Sequence, residues 1–435
     1  MPKKVLPMTT ATFGRTPRLA ALLVGLLLAA SGATRGQDEK TDPEREALLK
    51  LNTVTGEDAQ RAKLIAMAKD KDKAKKAVAL AVKMNKEAKG KDKPFNYNAS
   101  LMLGRVASFV KEYDAAETFF DDAVEAATKL NSGKKLLDAH DALIDMHWDA
   151  KKYSSVVEAC EKFMDLKGHK EIDDVKLFVL ERMVQAKAKL GQFDEALKIT
   201  AGLIQAGEDA GSGWYFLQLR GMVQREAGKT EDAIKTHLEV LEKLDAAKGM
   251  KADVKDRMKD RNRYVLTGLY VDAKNIDKAA EHLQTLIKRN PDNPTYKNDL
   301  GFIWCDNDKN FEESEKLIRE ALDLDKKQKE KLKEEGKLDE VKENAAYLDS
   351  LGWVMFKQKK YKEALDYLKK ACADDDDGNH LEIWDHLADC YMALDQKKDA
   401  IAAWEKGLKM EDISKRDAER RRKVTEKLKK ARAAN

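Results

Sequence analysis

A spacing of small residues constrains this chain more than any other feature. Gly352 is followed by Ala364 twelve residues on, and by Ala371 seven residues after that. Gly104, Ala116 and Ala123 repeat the pattern. So do Ala388, Ala400 and Gly407. Gly221 and Ala233 hold the first two positions of another copy, with Val240 third. Thr267 and Ala279 do the same, with Leu286 third. Gly301, Ser314 and Ala321 fit with one extra residue in the turn. Looser copies fall at Val184/Ala196/Leu203 and Ile144/Val156/Phe163. A glycine inside a helix costs about 1 kcal/mol against alanine, so its return at fixed intervals requires a packing reason. A period of this size means a stacked array of supersecondary units.

Other residues keep the same register. An aromatic stands three before the middle small residue at Tyr113, Tyr153, Phe193 and Tyr361, and a bulky residue stands four after it at Phe120, Leu283, Leu368 and Trp404. Composition agrees with helices. The 435 residues include only 7 prolines, 37% are charged, and β-branched or aromatic runs are scarce. Each unit therefore reads as two antiparallel helices joined by a short turn such as "KQKKY". The small residues of the two helices are expected to face each other so that the backbones approach, and the third small residue to admit the next unit. One hairpin cannot bury its apolar stripe alone, whereas stacked neighbours can.

The segments "YLDSLGWVMFKQKKYKEALDYLKKA" and "IWDHLADCYMALDQKKDAIAAWEKGL" carry the pattern most fully, with "YKNDLGFIWCDNDKNFEESEKLIREAL" and "ASLMLGRVASFVKEYDAAETFFDDAV" close behind. On these residues the chain resembles the tetratricopeptide-repeat family over about residues 95–410, its last three copies being similar to those of envelope-associated bacterial members. The resemblance implies an all-α fold, a superhelical solenoid of antiparallel helix pairs. It also implies a protein-binding role for the groove.

The organisation expected along the chain starts with a signal peptide over 1–36. That stretch holds Lys3, Lys4, Arg15, Arg18 and Arg35, no acid, and an apolar run from Leu19 to Ala30. The run is shorter than the roughly 20 residues of a spanning helix, and an uncleaved anchor is the alternative. A disordered lead-in (37–56) and a degenerate helical pair (57–92) follow. Next come about six units (93–325), a charged helical insert (326–344), two further units (345–410) and a basic capping helix (411–435). The chain is expected to be exported to the periplasm or envelope of a bacterium.

The 82 basic residues against 78 acidic give +4, and without the five leader residues the balance is 77 to 78. A near-neutral mature chain argues against a nucleic-acid partner. Cys160, Cys305, Cys372 and Cys390 are irregularly spaced and read as buried free thiols, with Cys372 and Cys390 as the one pair that could be bridged. "GMVQREAGKT" lacks the spacing of a phosphate-binding loop. "DDDDGN" (374–379) lacks the alternation of a calcium loop and reads as a solvated turn. No zinc-protease or nucleophile-elbow motif occurs, so no enzyme, cofactor, metal or small-molecule substrate is expected.

The candidate site is the groove face of the later first helices: Asn298 and Phe302, then Asp349, Trp353 and Phe356, then Asp385 and Asp389. Spacings of three and four put each set on one face. The expected surface is aromatic with acidic accents, suited to a peptide with apolar anchors and lysine or arginine. Some family members hold a partner's C-terminal carboxylate with groove lysine and asparagine. The residues here would repel it. The leading function is a non-catalytic scaffold holding a polypeptide. An accessory subunit bound through its convex face or inserts is the alternative, and a metal enzyme at Asp385, His386 and Asp389 the remote one.

Overall fold

The computed structural model describes residues 42–88, 93–209, 211–374, 377–410 and 415–433. The signal-peptide expectation falls outside them. Among the described residues there are helices and turns and no strands. The chain divides into two compact units, residues 1–228 and 229–435.

The N-terminal unit begins with α1 (Pro43–Leu49) and a single 3-10 turn (Lys50–Thr53). The disordered lead-in is thus corrected over 42–53. Leu48 and Leu51 bury beside Phe95, Met102 and Phe119, and the Asn52 side chain bonds the Pro94 carbonyl and the Asn96 amide, both at 2.8 Å. Sparse apolar residues made this stretch look unanchored, but two leucines and one asparagine suffice to fix it. Next come α2 (Glu57–Ala68) and α3 (Lys71–Glu87). Despite its lysines, α3 buries Ala74, Val78, Ala81 and Met84. The repeats follow as α4 (Tyr97–Phe109) with α5 (Tyr113–Lys129) and α6 (Gly133–Asp149) with α7 (Tyr153–Met164). After the short α8 (Lys170–Asp173) come α9 (Lys176–Lys189) with α10 (Phe193–Asp209), and then α11 (Gly213–Glu226).

The C-terminal unit holds α12 (Thr230–Ala246), α13 (Ala252–Asp272) with α14 (Ile276–Arg289), and α15 (Pro294–Asp306) with α16 (Phe311–Glu334). It continues with α17 (Ala345–Lys357) and α18 (Tyr361–Cys372), α19 (Leu381–Ala393) and α20 (Lys397–Gly407), and closes with α21 (Lys415–Ala433). Within each unit successive helices pack on one another, and first helices of adjacent pairs also touch, as α15 with α17 and α17 with α19 do. First helices therefore share one layer. Much of the insert 326–344 is the end of α16, a 24-residue helix whose Leu332 is exposed. None of the described helices is long and apolar enough to cross a membrane.

The glycine spacing has a specific cause. A Cβ on Gly104 would lie 2.5 Å from a ring carbon of Phe120. On Gly301 it would lie 2.8 Å from Ile318 and from the Ser314 carbonyl, and on Gly352 2.6 Å from Leu368. The expectation that bare backbone meets bare backbone is corrected in part. Each glycine chiefly makes room for the bulky residue one turn after the middle small residue. The middle residues Ala116, Ala233, Ala279, Ala364 and Ala400, and also Ala123, Ala321, Ala371 and Ala388, are fully buried. Gly221 is buried as well. Ala371 packs between Leu348 of its own pair and Ile383 of the next. Gly407 instead lies against Trp384 and Leu381 of its own first helix.

A second regularity escaped the sequence reading. Five residues before the middle small residue, the turn enters the left-handed region at Lys111, Lys151, Gly191, Gly228, Lys274, Lys359 and Asp395. The next amide then bonds back five residues, as Lys360 N does to the Met355 carbonyl at 2.9 Å. This bond caps the helix end. Lysine there conceals the turn, since glycine is the usual marker.

Candidate functional site

In the C-terminal unit the predicted groove residues come together, but they are satisfied within the chain. Asp349 on α17 and His386 on α19 form a buried pair, with His386 Nδ1 at 3.0 and 3.1 Å from the two carboxylate oxygens. Trp353 stacks on the His386 ring at 4.0 Å between centroids, and Phe356 stacks on Trp353 at 4.9 Å. Phe302 tilts against His386 at 6.3 Å. The Trp353 indole N–H donates to Asp306 at 3.1 Å. Asn298 is buried and donates to Asp299. Burial opposes charge on His386, but Asp349 outweighs it and holds the imidazole pKa above its ordinary value.

Asp385 and Asp389 are likewise occupied. Lys427 of α21 reaches both, at 2.8 and 2.6 Å. The Trp404 indole N–H donates to Asp385 at 2.9 Å, and Arg420 bonds Asp385 at 3.3 Å and Glu382. Burial pushes the Asp385 carboxyl up, yet Lys427 prevails and leaves it below the usual range. Asp389 moves up, through burial and then the Asp385 charge.

The expectation of free acidic accents at Asp349, Asp385 and Asp389 is therefore corrected: the chain supplies their cations. The signal was present in the basic tail, but pairing across about 40 residues cannot be read from spacing within one helix. Nor do Asp385, His386 and Asp389 gather as ligands, since His386 faces Asp349. Among the described residues no three His, Cys, Asp or Glu side chains group to hold a metal. The four cysteines are free, and Cys372 and Cys390 point to the carbonyls of Ile383 and Tyr361.

The N-terminal unit holds a face that the sequence reading missed. Asp138, Asp141, Asp145 and Asp149 lie three and four residues apart on α6 and form one stripe. Arg182 of α9 bonds Asp145 at 3.3 Å and covers the Trp148 ring at 4.7 Å. Tyr215 of α11 donates to Glu181 at 2.8 Å. Burial pushes the Asp141 carboxyl up to about 6, with the Asp145 charge adding to it. Burial also raises Asp138, Asp145, Asp149 and Glu181. Lys134 and then Arg105 lower Asp138, and Arg182 and Arg105 lower Asp141, without restoring ordinary values. Five carboxylates here face three cations, Lys134, Arg105 and Arg182. Desolvated carboxylates short of cations attract an incoming one.

A tetratricopeptide-repeat family profile matches residues 269–329. A profile described as anaphase-promoting complex, cyclosome, subunit 3 matches 328–407. No curated protein matches. Among solved structures, a tetratricopeptide-repeat protein from Parabacteroides merdae is similar at 14% identity and TM-score 0.44, over 65% of this chain and 96% of that one. The APC/C hetero-tetramer Cut9–Hcn1 is similar at 16% identity and TM-score 0.40, over 88% of this chain and 66% of that one. BtubC from P. vanneervenii is similar at 17% identity and TM-score 0.38, over 53% and 90%.

The repeated helix pairs with their glycine contacts, and the two matched segments, define an all-α helical-repeat protein. Residues 269–329 match the tetratricopeptide repeat, and helix pairs elsewhere in the chain keep the same small-residue spacing.

Proposed function

We propose that this chain is a non-catalytic scaffold of the bacterial cell envelope that holds a polypeptide bearing lysine or arginine along the first-helix face of its N-terminal unit. Tetratricopeptide repeats mediate protein–protein interaction, and stacked helix pairs offer an extended binding surface. The α6 stripe is the observation that carries the choice of partner: Asp138, Asp141 and Asp145 are desolvated enough to resist ionisation and have too few cations of their own. Phe178, which lines the same hollow as Asp141, supplies apolar area for a partner's aliphatic stems. Export is supported by the basic start and the apolar run Leu19–Ala30.

The test is titration of the full chain with a fluorescein-labelled peptide repeating Lys-Leu-Ser, followed by anisotropy. Asp138→Asn with Asp141→Asn is expected to weaken binding about ten-fold, the size of two partly buried ion pairs. Binding by wild type should also weaken as pH falls through about 6, where Asp141 takes up its proton. Equal affinity of wild type and variant, or no pH dependence, overturns this choice of face. Terminal sequencing of protein recovered from cell fractions tests export separately.

A further inference from the structure

The end of the C-terminal unit carries a cleft that the pairing of α19 with α21 does not use. The exposed Met392 of α19 and the edges of the buried Trp404 of α20 and Ala431 of α21 line this open depression of about 390 Å³, and Asp389 borders it too. Lys397 stands on one side and Lys430 on the other. Lys427 also lines the cleft, but Asp385 and Asp389 already neutralise it. Neither Lys397 nor Lys430 makes an ion pair among the described residues. Methionine adapts to varied side chains. The helix behind it is the most basic of the described helices, with ten lysines and arginines against three acids in α21.

We propose that this cleft docks an acidic peptide segment of a partner protein, with an apolar side chain on the exposed Met392 and carboxylates at Lys397 and Lys430. Charge complementarity selects the sign of the partner, and Met392 selects its class. A headgroup layer or a nucleic-acid backbone would be met by the outer face of α21, where Arg422 and Lys429 are exposed, and would place nothing apolar in the cleft. The inference stands on other residues than the α6 face, so either reading can fail alone.

The experiment titrates the full chain with a fluorescein-labelled peptide repeating Glu-Glu-Leu. An oligoglutamate of equal length, phosphatidylglycerol vesicles and a short DNA duplex are run beside it. Wild type is expected to prefer the leucine-bearing peptide. Lys397→Glu with Lys430→Glu should weaken it at least about ten-fold. Arg422→Glu with Lys429→Glu, on the outer face, should leave it within about two-fold. Equal loss in both variants, equal affinity for oligoglutamate, or binding only to vesicles or DNA overturns the proposal.

Discussion

A histidine with 1% of its surface exposed needs a reason to carry charge, and His386 has one in Asp349. Glu382 adds to that field and Arg420 opposes it. Because the folded pKa is raised, the pair's contribution to stability is fully present below the unfolded value of about 6.5. It is lost as pH rises through the higher folded value. His386→Gln should destabilise the protein by about 3 kcal/mol at pH 6, the cost of breaking a buried pair by removing one partner. The difference in urea midpoint between wild type and variant should narrow towards alkaline pH; a constant difference would contradict it. The sequence placed Asp349, Trp353 and Phe356 on one face, and they are there. It could not show that His386 would lie between Trp353 and Asp349, because that contact joins residues 37 apart. The α6 stripe was legible as spacing, but only burial gives its carboxylates their demand for cations.

At the scale of the element, the glycines separate two effects that are usually mixed. Gly104 lies under the Phe120 ring, whereas Gly202, in the helix α10, has nothing within 4 Å of where a Cβ would sit. Gly104→Ala should cost about 1–3 kcal/mol by overpacking, in spite of alanine's better helix propensity. Gly202→Ala should stabilise by about 0.5–1 kcal/mol. Thermal melts of the two variants check both signs. The period-twelve pattern was legible because only a residue without a side chain fits under Phe120, Ile318 or Leu368. The left-handed turns were not, because Lys111, Lys151, Lys274 and Lys359 stand where glycine would mark them. Lys359→Gly should therefore stabilise by about 1 kcal/mol. The capping helix α21 is held by both core and charge. Val424, Leu428 and Ala431 are buried, while Arg420 and Lys427 reach α19.

At the scale of the whole molecule, a stack of pairs gains its stability from neighbours in sequence. The fold class was legible because repetition at fixed spacing is a property of the chain as a whole. The ordered segment 43–53 was not, because its anchors are few and belong to no repeat. Nearest-neighbour stacking is measured by hydrogen exchange of the full chain with Gly352→Leu beside wild type. Protection should be lost in α17 and α18 and in the pairs touching them, α15 with α16 and α19 with α20, with α4 to α7 unchanged. Loss of protection spread evenly over the whole chain, or none in the neighbouring pairs, would contradict it.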